Sequence, residues 1–147
     1  MMKMTNNILK ILSLIWKSGA EIYRDESDGR LALNNASLIH PDVLKSAEPI
    51  FNQIDDWFKS WEGAAAADIT IQKALYLFCG WQTNEKMNKW LCADEESLSL
   101  LHDWTVVLAR NGWTDPYDDY RQYENDESNS MKIKFYEQAK SWASRNK

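Results

Sequence analysis

An α+β fold, mostly α, is predicted by three features of this sequence. Apolar residues recur at helical spacing along most of its 147 residues. One stretch, residues 20–34, drops to a period of two around an Asp28-Gly29 turn signal. Eight Trp, six Tyr and four Phe supply ample bulk for a core, so ordered packing is expected rather than disorder. The length fits one domain or two very small ones. Gly63 suits a left-handed helix cap, and four alanines follow it. The division expected there gives an N-terminal αββαα unit over 1–62 and a C-terminal helical bundle over 63–147.

The first helix is predicted over 7–17. Ile8, Ile11, Leu12 and Ile15 form one buried stripe, Thr5 or Asn6 caps the start, and Ser18-Gly19 ends it. A β-hairpin follows. Ala20 and Ile22 lie on one face, as do Leu31 and Leu33 opposite, and Asp28-Gly29 tolerates the positive φ of a tight turn. Two strands alone are marginal in water, so the apolar face must sit on helices. His40-Pro41-Asp42 opens the next helix, with Pro41 at its first position and His40 helping to cap it. Leu44, Ala47, Phe51, Ile54, Phe58 and Trp61 then recur in steps of three or four. Pro49 interrupts them. A proline inside a helix costs about 3 kcal/mol, so a break is expected, with a new helix capped by Ser46.

The second half reads as wholly helical. Ile71, Leu75 and Phe78 share one face of a helix that Gly80 stops, and Asn84 caps a short helix through Trp90 and Leu91. Asp94-Glu95-Glu96 places acids where a helix start favours them. The following helix, with Leu98, Leu100, Leu101, Trp104, Val106, Val107 and Leu108, is apolar nearly all round and is expected to be the central one. Asn111-Gly112 stops it. Asp115-Pro116 is expected to start a helix with Tyr117 and Tyr120 on one side. Residues 124–130 read as loop, and Met131, Phe135, Ala139 and Trp142 as a last helix.

Composition narrows the function. The formal charge is −5, which argues against a general nucleic-acid binder. No Gly-rich phosphate loop, GxSxG or HExxH motif is present, so no common nucleotide, hydrolase or zincin chemistry is indicated. The spacing of Cys79, Cys92 and His102 fits no compact zinc pattern, and both cysteines are expected to be buried helix residues. No cofactor, metal or catalytic residue is indicated. The apolar run of the first helix is far shorter than a membrane span; a cytoplasmic protein is expected.

Residues 8–61 resemble the TubC-type N-terminal docking domain of bacterial megasynthases. The resemblance rests on Ile8-Leu9-x-x-Leu12, on Ser18-Gly19-Ala20-Glu21-Ile22, on Asp28-Gly29-Arg30-Leu31-Ala32-Leu33, and on Ile39-His40-Pro41-Asp42-Val43-Leu44. It implies a non-enzymatic protein–protein interaction module, often a homodimer, whose hairpin accepts a short linear motif as an added strand. Arg30, Leu31, Ala32, Leu33 and Asn34 are then the edge, with Ile39 and Leu44 completing a groove. The rest of the chain has no carrier-protein serine motif and no condensation-type histidine motif, which suits a small adaptor of a phage or mobile element. The alternative expectation is an inhibitor of a host nucleic-acid enzyme, whose Asp115, Asp118, Asp119 and Glu124 form an acidic surface that mimics phosphates. A replication accessory protein is a further alternative.

Overall fold

A computed structural model describes residues 4–25 and 27–145, with side chains from Ile8 onward. The fold is α+β and mostly α. In order come α1 (Met4–Lys17), β1 (Glu21–Arg24), β2 (Leu31–Asn34), α2 (Pro41–Ala47), α3 (Phe51–Lys59), α4 (Ala66–Phe78), α5 (Glu85–Ala93), α6 (Glu95–Arg110) and α7 (Asp126–Arg145). Among the described residues 3-10 turns interleave them at Ala36–Leu38, Glu48–Ile50 and Tyr120–Tyr123. The chain divides into two compact units after Gly63, and Tyr117–Asp119 groups with the first. No helix among the described residues is long and apolar enough to cross a membrane.

In the N-terminal unit, Ile8, Ile11, Leu12 and Ile15 are all buried, as their spacing predicts. Leu9 and Ser13 widen the stripe. Ser13 stays dry because its hydroxyl donates to the Lys10 carbonyl at 2.7 Å. The helix starts earlier than expected, so Thr5 and Asn6 fall inside it; their side chains, and the expected cap, lie outside the described residues. The two strands pair antiparallel, with Ile22 opposite Leu33 and Arg24 opposite Leu31. Directly opposed residues share a face. Ala20, Ile22, Leu31 and Leu33 therefore line one side of the hairpin. β1 rests on α1 and α3, so Ile22 is buried while Leu33 is not.

Pro49 does break the second helical stretch. Residues Glu48–Ile50 form a 3-10 turn, and α3 starts afresh at Phe51. Ser46 is not the new cap; its hydroxyl donates back to the Asp42 carbonyl at 2.9 Å. His40 caps α2 as expected, its Nδ1 accepting the Asp42 N–H at 3.1 Å.

In the C-terminal unit Ala66 and Ala67 open α4, with Ala65 as its extended N-cap and Ala64 before it. Ile71 and Leu75 face the core, but Phe78 stays exposed. Its place is taken by Trp81. Gly80 adopts φ 78°, which a side chain disfavours, and so turns the chain back. Trp81 then donates its N–H to the Tyr76 carbonyl at 2.9 Å and packs on the Tyr76 ring, 5.1 Å between centroids. α6 packs against α4, α5 and α7, as its central place predicts, but it is not buried all round. Leu101, Trp104, Val107 and Leu108 are buried, while Leu98, His102 and Val106, four residues apart, form an outer face. Trp90 of α5 meets Phe135 of α7 at 4.9 Å, which closes the core.

The helix expected at Asp115-Pro116 does not form; a 3-10 turn at Tyr120–Tyr123 stands there. The expected loop 124–130 is mostly helix, because Asn125 and Ser128 cap α7 reciprocally. Asn125 Oδ1 accepts the Ser128 N–H at 2.9 Å, and Ser128 Oγ accepts the Asn125 N–H at 2.9 Å.

Asp94 caps α6 in a related way. Its carboxylate accepts the Ser97 hydroxyl at 2.7 Å and the Ser97 N–H at 3.4 Å. The Ser97 hydroxyl, outweighing a smaller effect of burial, holds the Asp94 carboxyl below the ordinary aspartate value of 3.8.

Leu12, fully buried, should cost about 2–5 kcal/mol when changed to Ala, read from urea unfolding. Asp94 contributes stability that is fully present above its unfolded-state pKa and is lost as pH falls through the lower folded value. The urea midpoint of the wild type should therefore drop more between pH 5 and pH 3 than that of Asp94→Asn.

Candidate functional site

The hairpin is the candidate site, and its hydrogen-bond parity decides what it can offer. Asp25 donates its N–H to the Arg30 carbonyl at 2.8 Å. In an antiparallel pair, bonded and non-bonded positions alternate. With the observed register, Tyr23–Ala32 and Glu21–Asn34 are then the bonded pairs. Leu31 and Leu33 belong to non-bonded pairs, so their N–H and C=O groups point away from β1. The sheet contains only these two strands among the described residues. The outer rim of β2 therefore carries the donors and acceptors of Leu31 and Leu33 without a strand to pair them.

The turn is held by short-range bonds. Gly29, at φ 70°, donates its N–H to the Asp25 carbonyl at 2.7 Å. Asp28 Oδ1 accepts the Arg30 N–H at 2.9 Å. The Asp25 carboxylate accepts the Ser27 hydroxyl and N–H at 2.6 and 2.9 Å. These bonds, the hydroxyl first, hold it below the usual carboxylate range. Arg24 ties the hairpin to α3: its Nη1 lies 2.9 Å from Asp55 Oδ1 and its Nε 3.4 Å from Glu62 Oε1.

The expected edge residues are accessible to different degrees. Arg30, Leu33 and Asn34 are exposed, and Leu31 and Ala32 are half-buried. Ile39 is corrected: it is 4% exposed and belongs to the core. The 3-10 turn before it carries it inward, and its N–H donates to the Ala36 carbonyl at 3.0 Å. Leu44 is half-buried. The groove bordering α2, about 340 Å³, has α1 rather than β2 as its other wall: Lys10, Ile11 and Leu14 face Asp42, Val43 and Ser46.

The alternative acidic surface is also corrected. Asp118 and Asp119 are 2% and 8% exposed, and both are engaged by partners, as carboxylates removed from water must be. Asp115 is half-buried. Glu124 is turned to Lys132, whose Nζ lies 2.5 Å from Glu124 Oε2 and 2.5 Å from Asp68 Oδ1. Burial alone pushes the Lys132 ammonium down, but the hydrogen bonds and charges of Asp68 and Glu124 outweigh it and hold it above the usual lysine value. Sequence reading missed this triad, because Asp68 and Lys132 are far apart in the chain and nothing local couples them.

Cys79, Cys92 and His102 are not brought together; among the described residues no three potential metal ligands cluster. Cys92 is exposed rather than buried, and Cys79 is half-buried. In α5 the buried positions are Trp90 and Leu91, and Cys92 falls just past them on the outer face. His102 is exposed on α6, 3.7 Å from Asp103. No family model, curated protein or solved structure matches this chain.

Removing Lys132 leaves two carboxylates facing each other with little water. Lys132→Ala should destabilise the protein by about 3 kcal/mol. That is the low end for a buried pair, because Asp68 remains a third exposed. Urea unfolding measures it, and Asp68→Asn in the same background should recover part of the loss.

Proposed function

We propose that this protein is a non-enzymatic, cytoplasmic adaptor that binds another protein by adding a strand of that partner to β2. The observation that carries the reading is the rim of β2. Leu31 and Leu33 turn their backbone groups outward, and Leu33 is 39% exposed beside them. Main-chain bonds to that rim supply affinity, and alternate side chains of the incoming strand supply specificity. The resemblance of residues 8–61 to a docking module points the same way, and it makes a second copy of the chain one further partner. The phosphate-mimic alternative loses its support, since Asp118 and Asp119 are buried. The net charge of −5 does not favour a replication accessory role on DNA.

The parity of the hairpin selects the test. A proline at Ala32 would remove an N–H that bonds Tyr23 and so break the hairpin itself. A proline at Leu33 removes only an outward N–H and keeps the ladder. Leu33→Pro should retain the far-ultraviolet spectrum and urea midpoint of the wild type. It should also lose, by tenfold or more, the partner that immobilised wild-type protein retains from native lysate, as quantified by mass spectrometry. Equal retention by the folded variant would sink the strand-addition reading.

A further inference from the structure

A pocket of about 360 Å³ lies under the hairpin turn, lined by Arg24, Asp25, Gly29, Phe58, Trp61 and Glu62. We propose that it receives a basic side chain, arginine or lysine, from the segment that docks on β2; the inference rests on that docking reading.

The charges around the pocket favour a cation. Arg24 is committed to Asp55 at 2.9 Å, and Lys59 lies 3.3 Å from the same carboxylate. Of the side chains that line the pocket, Arg24 is positive and Asp25 and Glu62 are negative, so the lining keeps one negative charge in excess. Glu62 holds Arg24 only at 3.4 Å and its side chain is 65% exposed, so it is available to a second cation. The Ser27 bonds keep Asp25 ionised. An acidic side chain entering here would meet two carboxylates.

The walls favour a cation as well. Phe58 and Trp61 are both half-buried, and Trp57 fixes them from beneath, with ring centroids 5.0 Å from Phe58 and 6.0 Å from Trp61. Aromatic rings with carboxylates nearby favour a cation that brings an apolar stem.

The position of the pocket suits a long side chain. Arg24 is paired with Leu31, so the pocket opens on the face that Leu31 and Leu33 occupy, at the turn end of the sheet. A strand added to β2 would run two strand spacings from β1, about 10 Å. A long side chain pointing to that face spans the gap, and a short one does not.

The probe is a blocked, fluorescein-labelled nonapeptide of alternating threonine and valine with one arginine near either end. Twins carry glutamine or glutamate in place of the arginine. Binding to the full-length chain is read by fluorescence anisotropy. One of the two arginine peptides should bind about fivefold tighter than its glutamine twin, and the glutamate twin more weakly still. Glu62→Gln should bring the arginine and glutamine peptides to within twofold of each other, and Leu33→Pro should weaken all of them. Peptides that bind in a Leu33-dependent way but without preference for arginine overturn the pocket and leave docking on β2 standing. Absence of binding by every peptide, or binding indifferent to Leu33→Pro, overturns the docking reading and the pocket with it.

Discussion

Two four-residue strands cannot hold each other in water, and the N-terminal unit is organised around that constraint. The hairpin survives because β1 is clamped. Ile22 is buried on the side where α1 and α3 lie, and Arg24 reaches across to Asp55 and Glu62 of the α3 region. The clamp combines apolar burial, which is strong and undirected, with a guanidinium contact that fixes where the turn end sits. α1 supplies the rigid side of the clamp through one buried face made of Ile8, Leu9, Ile11, Leu12, Ser13 and Ile15.

Clamping one strand leaves the other open. Each antiparallel strand has two rims, and β1 can satisfy only the inner rim of β2. The outer one keeps the backbone groups of Leu31 and Leu33, which makes it an accessory edge of the kind proteins often blunt with charge or cover. Along the chain, Arg30, just before β2, is the charged side chain next to those two positions. The space below the turn belongs to the same clamp: Arg24 lines it together with Phe58, Trp61 and Glu62. The open rim and the pocket are thus two consequences of one clamp.

The C-terminal unit is built on different terms. Its helices meet through large side chains, with Trp90 on Phe135 and Trp104 on Tyr120, 5.2 Å between centroids. Caps set the ends: Asn84, Asp94 and Asn125 each accept backbone N–H groups that the helix cannot satisfy itself. Lys132 adds a partly desolvated ionic contact between α7, α4 and the segment before α7. Such a triad contributes less to net stability than apolar burial does, because desolvation of its charges offsets much of their attraction.

Local physical chemistry in the sequence determined the hairpin and its turn at Asp28-Gly29, the stripe of α1, the break at Pro49 and the caps at His40 and Asn84. Each depends on residues within one or two turns of one another, so spacing and side-chain type suffice. Tertiary structure alone decided the rest. Ile39 left the expected groove because a 3-10 turn carries it inward. Phe78 gave up its core position because Gly80 folds Trp81 back on Tyr76. Asp118 and Asp119, solvated in any isolated segment, are buried. Lys132 found Asp68 from the other end of the unit. These outcomes follow from which surfaces meet, and a linear pattern carries no information on contacts between segments that are distant along the chain.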